Sequence, residues 1–161
     1  EIGFTKSDIG IFSKGLGWIT TVLFTLIGGF LTVKIGLVRS IFIAGIFMAV
    51  TNLLFSLLFW TGKNYLIFSI AVILDDLAAA FATVAFVAFI SVLVNRQYTA
   101  TQYALLASIG TLGRTTLASS SGSLVDYLNG DWGLFFVITS VMVIPSLILI
   151  FFLKEKIKAL N

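Results

Sequence analysis

The chain has 161 residues, of which 59% are hydrophobic and 11% are charged, and its mean hydropathy is +1.12. Soluble domains carry about 25% charged residues, so this composition favours an all-α membrane protein. The net charge is +3, but the basic residues lie at the ends of apolar runs, a distribution that does not suit nucleic-acid binding. Without Cys or His, disulfides, thiol catalysis and nearly all zinc, haem or copper sites are excluded, and we expect no cofactor and no metal.

Long uncharged runs predict five transmembrane helices embedded in a lipid bilayer. The predicted spans cover about 6–33, 40–60, 65–94, 100–125 and 132–153, and residues 154–161 form a polar tail. Thr5 and Asp8 have the spacing of a capping box at the start of the first span. A basic loop is expected at 34–39.

Tight turns are expected in the three later connections. The last of them, residues 126–132, contains Gly130, which suits a positive φ. Pro145 predicts a kink in the fifth span. No connection is long enough for a separate soluble domain.

The distribution of basic residues predicts the orientation of the chain. One side of the membrane receives Lys34, Arg39, Arg96, Lys154, Lys156 and Lys158, and the other receives Lys6, Lys14 and Lys63. Basic residues accumulate on the cytoplasmic side. We therefore expect an external N-terminus and a cytoplasmic C-terminus.

Three charged residues fall inside predicted spans. Arg114 lies near the middle of the fourth span, and Asp75 and Asp76 lie within the third. Counted from the outer side at ~1.5 Å per residue, the acids are ~15 Å deep and Arg114 ~18 Å deep. A charge at this depth costs at least ~2.5 kcal/mol. Opposite charges at matched depth on adjacent spans predict an ion pair between Arg114 and one aspartate.

Neighbouring residues on a helix point about 100° apart, so only one aspartate can face Arg114 directly. The other must face a water-filled cavity or hold a proton. A protonatable acid beside a fixed cation at mid-membrane suits a proton-coupled carrier. A purely structural pair that locks two helices is the alternative.

The fourth span is rich in hydroxyl groups and small residues around Arg114. Ser121 lies on the same helical face, with further serines and threonines beside it. Such a surface suits a sugar or peptide solute with a carboxylate, or close packing against another helix. The alanines between 78 and 88 favour a packing surface. We find no Ser-His-Asp set, no metal cluster and no phosphate-binding loop, so we do not expect an enzyme.

The segment "GGFLTVKIGLVRS", residues 28–40, resembles a loop signature of the major facilitator superfamily. Gly29, Leu31, Lys34 and Gly36 fit that signature, whereas Val33 stands where the signature has an acid. In that superfamily the loop is cytoplasmic and joins helices 2–3 or 8–9. The resemblance agrees with the orientation derived from charge.

Residues 83–93 and 95–122 resemble the muropeptide permease family, AmpG. The segment from Thr99 to Leu106, which includes Gln102 and Tyr103, matches throughout, as do Gly113-Arg114 and Ser121-Gly122. Asp75 takes the family's acid position, and Asp76 replaces an amide.

This resemblance implies helices 8 to 12 of a twelve-helix bundle, with Asp75, Asp76, Gln102, Tyr103, Arg114 and Ser121 as substrate-binding or proton-coupling residues. It implies proton-driven import of anhydro-muropeptides across the bacterial inner membrane for peptidoglycan recycling. The partners would be the missing N-terminal half of the transporter, the sugar-peptide solute and a proton. The alternative is a non-transporting fragment or split-gene product with only an interaction role.

Overall fold

The computed structural model describes residue 10, residues 17–95 and residues 97–158. These residues form six helices, and no strand occurs among them, which confirms the expected all-α fold. The helices are α1 (Gly17–Ile35), α2 (Leu37–Thr61), α3 (Tyr65–Leu93), α4 (Thr99–Tyr127), α5 (Trp132–Val141) and α6 (Val143–Lys158). The capping box expected at Thr5 and Asp8, and Arg96, lie outside the described residues.

The basic loop expected at 34–39 is wrong, because helix occupies all of it except Gly36. Gly36 has φ +88° and ψ 151°, a combination that side-chain-bearing residues avoid, so a single residue separates α1 from α2. Lys34 lies in the last turn of α1, where a cation interacts favourably with the helix dipole.

The other connections follow local capping chemistry. The Asn64 side chain accepts hydrogen bonds from the backbone N–H groups of Leu66 and Ile67, at 3.0 and 3.2 Å, and so begins α3. Between α4 and α5, Gly130 adopts φ +80°, as expected. The Asp131 side chain then accepts from the Leu134 N–H at 2.9 Å and begins α5.

Pro145 breaks the last apolar segment into two helices. α5 ends at Val141 and α6 begins at Val143, with Met142 between them. A proline has no N–H to donate to the carbonyl four residues earlier, here that of Val141, and its ring collides with that carbonyl. The break at Met142 therefore lies next to the carbonyl that Pro145 leaves without a hydrogen-bond donor, as the expected kink requires. The polar residues from 154 to 158 extend α6.

α3 is the central helix of the bundle, packed most extensively against α2 and α1, while α2 also packs on α5. Ala71, Ala78 and Ala85, seven residues apart on α3, are at most 1% exposed, because their small side chains let neighbouring helices approach closely. Of the alanines expected to form a packing surface, Ala80 is also buried, but Ala79 is exposed.

Two interhelical hydrogen bonds join α2 to α5. The buried Ser56 hydroxyl donates to the Gly133 carbonyl oxygen at 3.0 Å, and the Ser140 hydroxyl donates to the Ala49 carbonyl oxygen at 2.7 Å. Because the bilayer core contains no water that could hydrogen-bond to these polar groups, such interhelical bonds help to hold the helices together.

Three segments of the described chain are long and apolar enough to cross a membrane: Leu37–Thr61, Tyr65–Leu93 and Trp132–Lys156, the last formed by α5 and α6 together. A shorter apolar helix covers Thr20–Ile35. Large apolar side chains such as Leu26, Phe30 and Phe152 are exposed on the outside of the bundle, which suits contact with lipid. α4 is also long, but it is not among the apolar spans, because its middle is filled with hydroxyl groups, glycines and Arg114.

We expect Gly133→Ala to destabilise the bundle by about 1–3 kcal/mol, the usual cost of overpacking. A Cβ at Gly133 would lie 2.5 Å from Trp60 Nε1, 2.7 Å from Trp60 Cε2 and 3.0 Å from Phe59 Cδ1, so both aromatic side chains of α2 would have to move away from α5. Gly113→Ala is the matched control, because nothing lies within 4 Å of its added Cβ. Unfolding of the purified protein in mixed micelles by a denaturing detergent measures both. Equal stability of the two variants would contradict this packing.

Candidate functional site

The two adjacent acids of α3 point toward different helices. Asp75 faces α2, where its Oδ1 lies 3.2 Å from the Thr51 hydroxyl oxygen. Thr51 is only 1% exposed, so this contact lies inside the α2–α3 interface. The same hydroxyl oxygen lies 3.0 Å from the Met48 carbonyl oxygen of its own helix. Asp75 itself is half-buried.

Asp76 faces α1. Its Oδ2 accepts a hydrogen bond from the Thr20 hydroxyl at 2.9 Å. Thr20 and Asp76 are both half-buried. The roughly 100° between successive side chains on a helix lets neighbouring acids reach two different helices. Asp75 and Asp76 therefore link the three helices α1, α2 and α3 through hydroxyl groups.

The expected ion pair between Arg114 and an aspartate is wrong for this structure. Asp75 and Asp76 have threonine partners, and the described residues contain no ion pair joining either acid to Arg114. The physical reason is the packing of α3, whose acids turn toward α1 and α2, the helices that cover it most.

α4 makes far fewer contacts and meets α3 where Gly110 lies against the Phe86 ring, so closely that a Cβ on Gly110 would be 2.6 Å from Phe86 Cζ. Arg114 lies at the middle of α4 and is exposed. Within α4, Val125 is the one buried residue, so nearly the whole helix presents its side chains outward.

The hydroxyl groups of α4 are mostly satisfied within the helix. Ser121 is half-buried and donates to the Ala118 carbonyl oxygen at 2.6 Å, and Thr111 donates to the Ala107 carbonyl oxygen at 2.8 Å. An open depression of about 450 Å³ lies along one face and is lined by Ala107, Ser108, Thr111, Leu112 and Thr115. Hydroxyls bonded in this way keep free lone pairs, so the face can accept hydrogen bonds from a polar ligand.

Gln102 and Tyr103 lie near the start of α4, away from the acids in sequence and in contacts. The Gln102 side-chain oxygen accepts a hydrogen bond from the Asn95 N–H at 2.6 Å and so closes the turn between α3 and α4. Tyr103 is half-buried. The structure thus brings Asp75 and Asp76 together on α3, and it places Gln102, Tyr103, Arg114 and Ser121 along α4.

Thr20 and Thr51 are the site residues that the sequence reasoning missed. Both lie in apolar segments, where a single threonine is an ordinary residue. The sequence did offer a criterion for finding them, because hydroxyl groups in transmembrane helices commonly hydrogen-bond to polar groups of the neighbouring helix. Across the described residues, no group of three or more His, Cys, Asp or Glu side chains is placed to hold a metal ion.

A bundle of apolar helices with acids inside it and a polar, cation-bearing helix at its side is typical of membrane transport proteins. The sequence pattern of the Major Facilitator Superfamily matches residues 1–161, and the chain belongs to that superfamily. It is a membrane-embedded protein in contact with the lipid bilayer.

Among curated proteins the chain is 33% identical over 157 residues to "Putative transporter AmpG 4" of Rickettsia felis, with 98% of the chain and 37% of that protein covered. It is 31% identical over 157 residues to "Anhydromuropeptide permease" of Escherichia coli K12, with 98% and 32% covered. The expected resemblance to the AmpG family is confirmed. The chain spans about a third of the length of these relatives.

Proposed function

We propose that this chain supplies the C-terminal helices of a proton-coupled transporter that imports anhydro-muropeptides across the bacterial inner membrane. The proposal is supported by the similarity to an anhydromuropeptide permease along 98% of the chain. A transporter also suits the composition of the chain better than an enzyme, because polar groups within the membrane accompany solute pathways.

The observation that carries the proposal is α4, a helix of 29 residues whose surface is hydroxyl-rich, exposed and marked by a single cation at its centre. Lipid is a poor neighbour for Arg114, because a charge facing acyl chains is costly. A water-filled cavity that admits the carboxylate of a sugar-peptide is a more favourable environment for the Arg114 side chain. Guanidinium groups bind carboxylates through two parallel hydrogen bonds, and the hydroxyls around Arg114 suit sugar and peptide groups.

A complete transport pathway requires two halves that move against each other. The relatives are about three times as long as this chain, and α4 offers a nearly uncovered surface. We therefore propose that the chain works together with an N-terminal half, and that the polar face of α4 lines the cavity between the two.

Uptake by the full-length protein in phospholipid vesicles tests this proposal. We expect labelled anhydro-muropeptide to accumulate when the proton gradient drives it inward, and accumulation to stop when a protonophore collapses the gradient. Excess unlabelled anhydro-muropeptide should compete, and simple sugars should not. Absence of uptake with a correctly inserted full-length protein would contradict the proposed transport activity and favour an interaction role without transport.

We also propose a cytoplasmic C-terminus, and cysteine labelling tests it. The chain contains no Cys, so Lys156→Cys introduces its single thiol. We expect a membrane-impermeant maleimide to label this thiol in inside-out vesicles and not in right-side-out vesicles. Lys63→Cys, which lies beyond the opposite end of α2 from Arg39, is the matched control and should show the reverse pattern. Labelling of the cysteine at position 156 in right-side-out vesicles would show that the C-terminus is external and contradict the proposed orientation.

A further inference from the structure

We propose that a groove between α1, α2 and α3 binds one anionic phospholipid, with an acyl chain in the groove and the phosphate at Lys34 and Arg39. The starting observation is a cavity of about 280 Å³ between these three helices, all of whose lining residues are apolar. None of them belongs to α4, so this lipid site is separate from the proposed solute pathway. The lining residues include Leu31, Ile35, Ile43, Phe47, Leu77 and Phe81.

The cavity follows from the way in which α1 and α2 pack. Both helices pack mainly on α3 and only slightly on each other. Gly28 lets α1 approach α3 so closely that an added Cβ would lie 3.2 Å from the Phe81 Cα. Only Gly36 separates α1 from α2, so the two helices are adjacent at that end. Farther along, the cavity lies between them, against the surface of α3.

The position and length of the cavity suit an acyl chain. Leu31 and Phe47, which line it, are 36% and 38% exposed, so the cavity is accessible from the outside of the bundle, where lipid lies. By helix rise, Gly28 and Phe47 lie ~12 and ~17 Å from Gly36. The hydrocarbon of one leaflet is ~15 Å thick, half of the bilayer core. The cavity therefore extends through about one leaflet, as a phospholipid chain does.

Arg39 lies at the membrane-surface end of this groove. Arg39, Ile43 and Phe47 follow one another at intervals of four residues on α2, so they share one helical face. Cβ atoms tilt toward the N-terminus of a helix, which for α2 is the end at Gly36. The exposed guanidinium is therefore directed toward the membrane surface above the cavity. In the first turn of α2 the helix dipole disfavours a cation, so the helix does not stabilise this charge.

Lys34 supplies a second exposed cation at the same end. It follows Leu31 by three residues on α1, so the two side chains share a helical face, and its long apolar stem lets the ammonium reach the membrane surface. Neither Lys34 nor Arg39 has an ion-pair partner among the described residues. The sequence contains no Asp or Glu between Asp8 and Asp75. Their counter-charge must therefore come from outside this part of the bundle.

An anionic phospholipid matches both the apolar cavity and the two cations. A packed helix or a second copy of the chain would fill the cavity, but an apolar helix would supply no anion. Guanidinium binds phosphate through two parallel hydrogen bonds, and an ammonium binds it as a point charge. In the orientation proposed above, this end of the groove faces the cytoplasmic leaflet, whose anionic lipids attract basic residues.

Native mass spectrometry of the purified full-length protein, titrated with phosphatidylglycerol in detergent, tests the site. We expect one phosphatidylglycerol to bind more tightly than phosphatidylcholine, the zwitterionic reference. One cation near an anionic headgroup changes the affinity about five-fold, so Lys34→Gln combined with Arg39→Gln should weaken phosphatidylglycerol binding about 30-fold. Lys156→Gln, which removes an exposed cation outside the groove, is the matched control and should bind like the unaltered protein.

A second pair of variants tests the position of the acyl chain. Ile43→Phe fills part of the cavity and should weaken the binding of both lipids. Ile46→Phe makes the same change at an exposed position of α2 outside the cavity and should leave binding unaltered.

Equal losses in Lys156→Gln and in the double variant would show a general attraction of basic residues for anionic lipid and overturn the site. Lipid binding that Ile43→Phe leaves unchanged, or a bound second copy that Ile43→Phe releases, would equally contradict an acyl chain in the cavity. If Ile43→Phe does not fold, as judged by circular dichroism, the charge variants decide. No solute is used, so a failure of the proposed transport function shows in the uptake assay and leaves this result in place.

Discussion

Replacing Arg114 with alanine in the full-length protein is expected to lower the uptake of anhydro-muropeptide by about 100-fold while the protein inserts and folds normally. A hydrogen bond to a charged group contributes about 1.5–3 kcal/mol, and each 1.4 kcal/mol corresponds to about a factor of ten. Folding should be spared, because the Arg114 side chain is exposed and forms no ion pair with a described residue.

Two further variants make the Arg114 result specific. Arg114→Lys keeps the charge but cannot bind a carboxylate through two parallel hydrogen bonds, so we expect intermediate uptake. Lys156→Ala removes an exposed cation from the end of α6, outside the proposed cavity, and should transport like the unaltered protein. Initial rates of uptake, normalised to protein in the membrane, give the comparison. Normal transport by Arg114→Ala would exclude this arginine from the solute site.

The fold was predictable from the sequence where local chemistry determines it. Uncharged apolar runs must be helical in a membrane, because every backbone polar group needs a partner there. Pro145 and Gly130 act through their own backbones, so their effects were also predictable. The connection at Gly36 was not, because a loop and a one-residue break have the same basic flanks in sequence.

The sequence indicated which intramembrane residue types carry the site, but the ion pair predicted between Arg114 and an aspartate was wrong. Helix rise gave matched depths for Arg114 and the two aspartates, but depth does not say which helices flank α3 or how far each is rotated. Packing of small residues such as Ala71 and Ala78 determines both, and it turns the acids toward Thr51 and Thr20. The pairing therefore depended on tertiary contacts that spacing alone does not encode.

Asp75→Asn is expected to separate solute exchange from proton-driven accumulation. The side-chain oxygen of the amide can still accept a hydrogen bond from the Thr51 hydroxyl, so the contact between α2 and α3 should survive. An amide cannot release a proton, so accumulation against a gradient should fall to the level seen with a protonophore. Exchange of labelled for unlabelled solute at equal concentrations should continue, because it requires no net proton movement.

The matched control for this experiment is Asp126→Asn, which makes the same chemical change at an exposed carboxyl near the end of α4. It should accumulate solute like the unaltered protein. Parallel measurements of exchange and of gradient-driven uptake in the same vesicles distinguish a lost proton step from a lost binding site. Accumulation that persists in Asp75→Asn would mean that the coupling proton travels by another group, whereas loss of both activities would place Asp75 in solute binding or in the structure of the bundle.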